Sequence, residues 1–165
     1  YLERGWSVEK QAYVGAYDSH HLDAAVLRVA LFGALDPREP RMRATLAAIE
    51  YELGVGDLIY RYRMEDGLEG DEGTFTACAF WRVGCLALDG RTGEAKAAFE
   101  RLIARCNDVG LLAEEIDPAS GAQRGNTPQG FSHMALINAA LRLEDSIARF
   151  GADERPESAA RSAAE

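Results

Sequence analysis

GLLAEEIDPASGAQRGNTPQGFSHMALINAAL, residues 110–141, changes character halfway. From Gly130 onward apolar residues recur at helical intervals as far as Phe150, which predicts one long helix. Before it lies a polar loop with a Leu111-Leu112 pair at its neck, then two adjacent acids, Glu114 and Glu115, then an Asp117-Pro118 turn. A rigid helix that follows a long loop carrying acids places those acids where function tends to sit.

Working outward, four more stretches carry helical periodicity. The first runs over 21–33, with Leu22, Val26, Val29 and Ala30 on one face. The second starts at Arg41, introduced by Pro37 and Pro40 and closed by Gly54. The third covers 73–88. The fourth covers 92–106, where the Thr92 hydroxyl is placed to cap and Glu94 suits the first turn. No stretch has convincing strand alternation, and only LIYRYR (58–63) reads as a short extended piece. The class is all-α, with one domain over 1–150 and a polar, small-residue tail over 151–165 that reads as disordered.

The links between these helices alternate in length: 34–40 is short, 54–72 long, 89–92 short, 107–129 long. In an antiparallel array every second loop lies at the same end. Both long loops therefore share one end with the polar N-terminal stretch, and they hold Arg61, Arg63, Glu65, Asp66, Glu69, Asp71, Glu72, Glu114, Glu115 and Asp117.

Composition removes several function classes. The 165 residues are 47% hydrophobic and 27% charged, the globular range. A net charge of -9, with the arginines spread along the chain, disfavours nucleic acid as a partner. No apolar run has the length of a membrane span. Three cysteines, Cys78, Cys85 and Cys106, lack metal spacing and suit a reducing cytoplasm. The chain opens on Tyr1 without a methionine, as a piece of something longer would.

Carboxylates beside arginines suit a neutral, hydroxyl-rich ligand. An acid just after apolar residues, as Glu114 is, has the setting of a general base for inverting glycoside hydrolysis; such a base stands roughly 6.5–9.5 Å from its acid partner. The plainer reading makes Glu114 and Glu115 solvated loop acids. EDGLEGDEG (65–73) misses the ligand positions of a calcium loop, so no metal is expected. His20, His21 and His133 are too scattered for a catalytic triad; His133 reads as a core residue and Trp81 as packing. No glycine-rich phosphate loop is present, and no cofactor is expected.

YRYRMEDGLEGDEGTFTACAFW (60–81), together with NDVGLLAEEIDPASGAQRGNTPQGFSHMALINAAL (107–141), resembles the C-terminal part of family 15 glycoside hydrolases, which comprise glucoamylases, glucodextranases and bacterial trehalases. LERGWSVEKQAYVGAYDSHHLDAAVL (2–27) resembles the matching region of the bacterial members. The resemblance implies part of an (α/α)6 barrel, an incomplete toroid of about five to six antiparallel helices, with the active site at one end. It implies that Glu114, following the small Ala113, is the general base, although Glu115 stands where glucoamylases often carry Gln. It implies that Arg61 or Arg63 grips the terminal sugar and that Asp66 and Glu72 border the same subsite. The family's general acid lies farther upstream than this chain extends.

The expectation is thus a C-terminal fragment of an inverting exo-acting α-glucosidase, glucoamylase-like or trehalase-like, inactive by itself. It would associate with itself or with the absent N-terminal portion of the barrel. The substrate stays open among trehalose, starch ends and isomaltose-type linkages. The rival expectation is a non-catalytic helical module that binds a partner through open apolar helix faces.

Overall fold

The computed structural model of the chain describes residues 2–64 and 72–151. Five α-helices carry the architecture: α1 (Arg28–Leu31), α2 (Pro40–Leu53), α3 (Thr76–Leu88), α4 (Thr92–Ile103) and α5 (Gly130–Phe150). Seven two-residue strands stitch the loops: β1 (Trp6–Ser7), β2 (Ala12–Tyr13), β3 (Gly54–Val55), β4 (Leu58–Ile59), β5 (Thr74–Phe75), β6 (Glu115–Ile116) and β7 (Gln123–Arg124). The tail over 152–165 lies outside the described residues.

α3 is the centre of the packing. Its sequence TACAFWRVGCLAL is apolar on nearly every side, and Ala77, Cys78, Ala79, Phe80, Val83, Cys85, Leu86 and Ala87 are all buried. It packs most extensively on α5 and then on α4. Phe80 meets Phe99 of α4 edge-on, with ring centroids 6.0 Å apart. α2 begins with Pro40 at its first position, where the missing N–H costs nothing, and buries Met42, Thr45, Leu46, Ile49 and Leu53. The Thr45 hydroxyl donates to the Arg41 carbonyl and accepts from the Tyr13 amide at 2.9 Å, fastening the N-terminal hairpin to α2.

Three elements differ from the sequence expectation. The first helix is shorter: a 3-10 turn, Ala24–Leu27, leads into α1, and His21 stays outside it. Asp23, extended at ψ 122°, caps this turn through the Ala25 amide, and the chain turns again at Gly33 with φ +75°. α3 starts at Thr76 because Thr74 and Phe75 pair as β5. Thr92 does not cap α4; Arg91 holds the cap position, and the Thr92 hydroxyl bonds the Ser146 hydroxyl of α5 at 2.7 Å.

The long loops do share one end. β5, which closes the second link, pairs antiparallel with β6 in the fourth link, and β6 pairs with β7. The N-terminal segment joins them where the Ala24 amide donates to the Arg61 carbonyl at 2.8 Å. Among the described residues no helix is long and apolar enough to cross a membrane.

Candidate functional site

Leu112 and Ala113 are buried, and all four of their backbone hydrogen-bonding groups are paired. The Leu112 amide donates to His133 Nε2 at 3.2 Å, and its carbonyl accepts from the Gln129 amide at 3.0 Å. The Ala113 amide donates to Gln123 Oε1 at 2.6 Å, and its carbonyl accepts from the Ser132 hydroxyl at 2.9 Å. Gln123 Nε2 in turn donates to the carbonyls of Arg105 and Leu111. A loop whose backbone is fully satisfied in this way presents its next side chain from a fixed base.

That next side chain is Glu114. Its amide donates to the Asn126 carbonyl and its carbonyl accepts from the Thr76 amide at the start of α3, both at 3.0 Å. Its carboxylate accepts from Asn126 Nδ2 at 2.8 Å and from the Asn126 amide at 3.2 Å. Both bonds land on Oε2, so Oε1 carries none among the described residues. Gly125 lies against this carboxylate with φ +73°, and a Cβ there would stand 3.0 Å from Oε2, so glycine is required twice over.

Glu115 points elsewhere. Its Oε2 accepts from the Gly73 amide at 2.9 Å, and a Cβ on Gly73 would come within 3.0 Å of the same oxygen. Glu115 therefore fastens the two long loops to each other, while the Glu114 carboxylate, among the described residues, is gripped within its own loop. Asp117 is also occupied: the Ala119 and Ser120 amides donate to it at 2.9 Å each and it pairs with Arg124. The Ser120 backbone bond is the main cause that holds its carboxyl below the ordinary range.

Arg61 and Arg63 separate. Arg61 donates to Asp23 in bidentate fashion, Nε to Oδ1 at 2.5 Å and Nη2 to Oδ2 at 3.0 Å, and this bonding raises its already high pKa. It lines a groove of about 360 Å³ together with Phe75, Trp81, Phe131 and Asn138. Arg63 is exposed, with its guanidinium 4.4 Å from the Tyr60 ring centroid, and is not among the groove's lining residues. Glu72 is exposed immediately before Gly73 and β5. Asp66, with Glu65, Glu69 and Asp71, lies outside the described residues. Glu114 does not line the groove; Phe75 does, and the next residue, Thr76, bonds the Glu114 carbonyl. Trp81 is half-buried against the core and also lines the groove, with the Arg28 guanidinium 5.5 Å from its ring.

Other chemistries find little here. Among the described residues no three His, Cys, Asp or Glu side chains are grouped to hold a metal. Burial pushes the Cys85 thiol up to about 12 and the Cys78 thiol up as well, so neither is a ready nucleophile. The residues that sequence reasoning missed are Asp23, Gln123, Asn126 and Ser132. Their signal is faint: isolated polar residues in a loop or at a helix start, each aimed at a partner far along the chain.

Solved glycosidase structures share this fold. A wild-type glycosidase superposes with a TM-score of 0.73 at 21% identity, over 87% of this chain and 41% of that one. A variant of a glycosidase in complex with glucose gives a TM-score of 0.73 at 20% identity, with the same coverage. The helices described above are thus part of a larger helical barrel. Among sequence relatives, the trehalase of Mycobacterium tuberculosis is 47% identical over 145 residues, which are 86% of this chain and 21% of the relative. The trehalase of Thermoplasma volcanium is 40% identical over 147 residues, 88% of this chain and 24% of the relative. The chain therefore spans about a quarter or less of the length of these relatives. The profile of glycosyl hydrolases family 15 matches residues 1–141, and the chain belongs to that family.

Proposed function

We propose that this chain supplies the water-activating half of an inverting, exo-acting α-glucosidase of trehalase type, with Glu114 as the general base. The observation that carries the reading is the grip on Glu114: Asn126 holds one carboxylate oxygen and leaves the other for a water molecule. Oε1 takes a proton from that water, whose oxygen attacks the anomeric carbon on the face opposite the departing oxygen. The bond to the departing oxygen breaks as it receives a proton from a general acid, and β-glucose leaves. We assign that acid to helices outside these 165 residues, so the chain alone is inactive. Arg61, oriented by Asp23, offers its remaining N–H groups to sugar hydroxyls. Trehalose is favoured over starch ends and isomaltose-type linkages by relatives that are trehalases at 40–47% identity. Hydrolysis of an acetal by paired carboxyl groups requires no cofactor, and free buried thiols suit a reducing cytoplasm.

The partner is the remainder of the toroid, seated on the apolar outer face of α5 and the adjoining groove; in its absence a second copy covers that face. A non-catalytic module that associates through α5 would use the same face. That reading leaves the Asn126 grip on Glu114 without a purpose.

The test is a chimera in which residues 1–150 replace the matching segment of the mycobacterial trehalase. It should hydrolyse trehalose to equal initial amounts of α- and β-glucose, the mark of inversion. Glu114→Gln should lower kcat by about 10²–10⁴-fold. A Glu114→Gln chimera that keeps its rate would remove Glu114 from the mechanism.

A further inference from the structure

Arg61 is held twice by one pair of residues. Its carbonyl accepts from the Ala24 amide at 2.8 Å, and its guanidinium donates to both carboxylate oxygens of Asp23. The ion pair uses Nε and Nη2, the side of the guanidinium. The forward edge, one N–H from each terminal nitrogen, is left to meet a ligand in the groove that Arg61 lines.

Asp23 is itself fixed from two directions. Its Oδ1 accepts from the Ala25 amide at 2.7 Å, which ties the carboxylate to its own turn. Gly15 lies against the side chain: a Cβ there would stand 2.8 Å from the Asp23 Cβ. Side chains essentially never approach so closely, so any residue larger than glycine at 15 displaces Asp23. Gly15 is not among the glycines with positive φ, and what the position uses is the missing side chain. The Gly15 amide donates to the His21 carbonyl at 3.3 Å, which closes the loop that brings the chain back to Asp23. Just before Gly15, Tyr13 and Val14 are buried, and Thr45 of α2 accepts from the Tyr13 amide. Asp23 is thus seated on packed structure.

We propose that Asp23 is the positioning residue of Arg61, and that Gly15 is the gap which lets Asp23 reach it. The proposal rests on Arg61 gripping the sugar in the reading above. An unheld arginine samples many rotamers and loses that freedom on binding; Asp23 removes this penalty before the sugar arrives. The effect falls on substrate binding rather than on the chemical step at Glu114.

The test has two arms. In the trehalase chimera, Asp23→Asn keeps an oxygen for the Ala25 amide, since asparagine caps as well as aspartate, and breaks the two-point pairing with Arg61. It should raise KM for trehalose about tenfold, the factor for one hydrogen bond of ordinary net worth, and change kcat far less. Gly15→Ala should raise KM in the same direction. On an Arg61→Met background neither substitution should raise KM further. An Asp23→Asn penalty that is equal with and without Arg61 overturns the proposal, because Asp23 would then act through the fold. A loss of kcat with KM unchanged overturns it too. In the 165-residue chain, NMR should show the Arg61 Nε–H exchanging with water about tenfold more slowly than that of exposed Arg63. Equal exchange overturns the proposal on the wild-type chain alone, whether or not the variants fold. If Arg61→Met spares KM while the Nε–H stays protected, the sugar grip fails as a reading and the Asp23–Arg61 pair is a clamp of the fold.

Discussion

α4 and α5 both pack on α3, yet they distribute their side chains in opposite ways. α4 buries Thr92, Ala95, Ala98 and Leu102 and turns Glu94, Glu100 and Arg101 outward, with a Lys96–Glu100 pair at 2.7 Å on its surface. It has one apolar side, as a helix at the outside of a protein does. α5 buries small residues against α3, Ala139 among them at 1% exposed, and carries its larger apolar groups on the outer face. Phe131 is 69% exposed, Met134 58%, Ile137 56% and Leu141 57%. The small inner residues let α3 approach closely where Gly84 leaves no room for a Cβ beside Leu31 and Arg142. α4 presents a polar outer side, and α5 presents an apolar one.

The largest effect expected from this contrast is in stability. Leu102→Ala on α4 should cost about 2–5 kcal/mol in urea unfolding, because the side chain is fully buried and its loss leaves a cavity. Leu141→Ala on the outer face of α5 should change the stability of the isolated chain by no more than about 0.5 kcal/mol. Equal costs would mean that the outer face of α5 is already covered in this chain, and the contrast between the helices would fail.

Sequence punctuation made some of this legible and tertiary partners hid the rest. α2 and α5 run where Pro40, Gly54 and Gly130 place them, because those residues act locally. The first helix is shorter than its periodicity because Asp23, its cap, also serves Arg61, 38 residues away. Strands of two residues have no period to detect. The Thr92 hydroxyl has the composition of a cap but finds Ser146 on another helix. The neck of the loop makes Glu114 a candidate. Asn126, whose amides donate to its carboxylate, gives no such signal, since a single polar residue twelve positions on carries no pattern. Periodicity also shows that α5 is apolar around its girth without showing which side is covered.

A smaller effect sharpens the contrast by closing the open side. In the trehalase chimera, where the barrel is complete, Leu141→Ala should become costly, by about 1.5–3 kcal/mol, the usual worth of burying a leucine side chain. Leu102→Ala should cost the same in both settings. A Leu141→Ala penalty that does not grow on completing the barrel would show that other helices seat elsewhere. Met134→Ala, at the rim of the groove, provides a second reading of the same face.

The smallest effect concerns how α4 is held at its exposed end. Arg101 donates to Asp57, in the β3–β4 turn, through Nε at 2.5 Å and Nη2 at 2.8 Å, and Arg82 Nη1 of α3 lies 3.8 Å from the same carboxylate. The Arg101 bond, the largest influence, holds the Asp57 carboxyl below its ordinary 3.8 against the opposing effect of partial burial. A pKa lower in the folded than in the unfolded chain contributes stability that is present above the unfolded value. That stability is lost as pH falls through the folded one. α4 should therefore loosen in acid as pH falls below about 4, seen as faster amide exchange at Leu102 and Ile103, while Ala139 and Leu143 of α5, held by apolar packing, change little. Arg101→Met should flatten that acid-side loss, leaving a variant that is weaker near neutrality but less sensitive to acid. If wild type and Arg101→Met lose protection in parallel, the acid sensitivity of α4 comes from another carboxylate, and the two helices differ in packing alone.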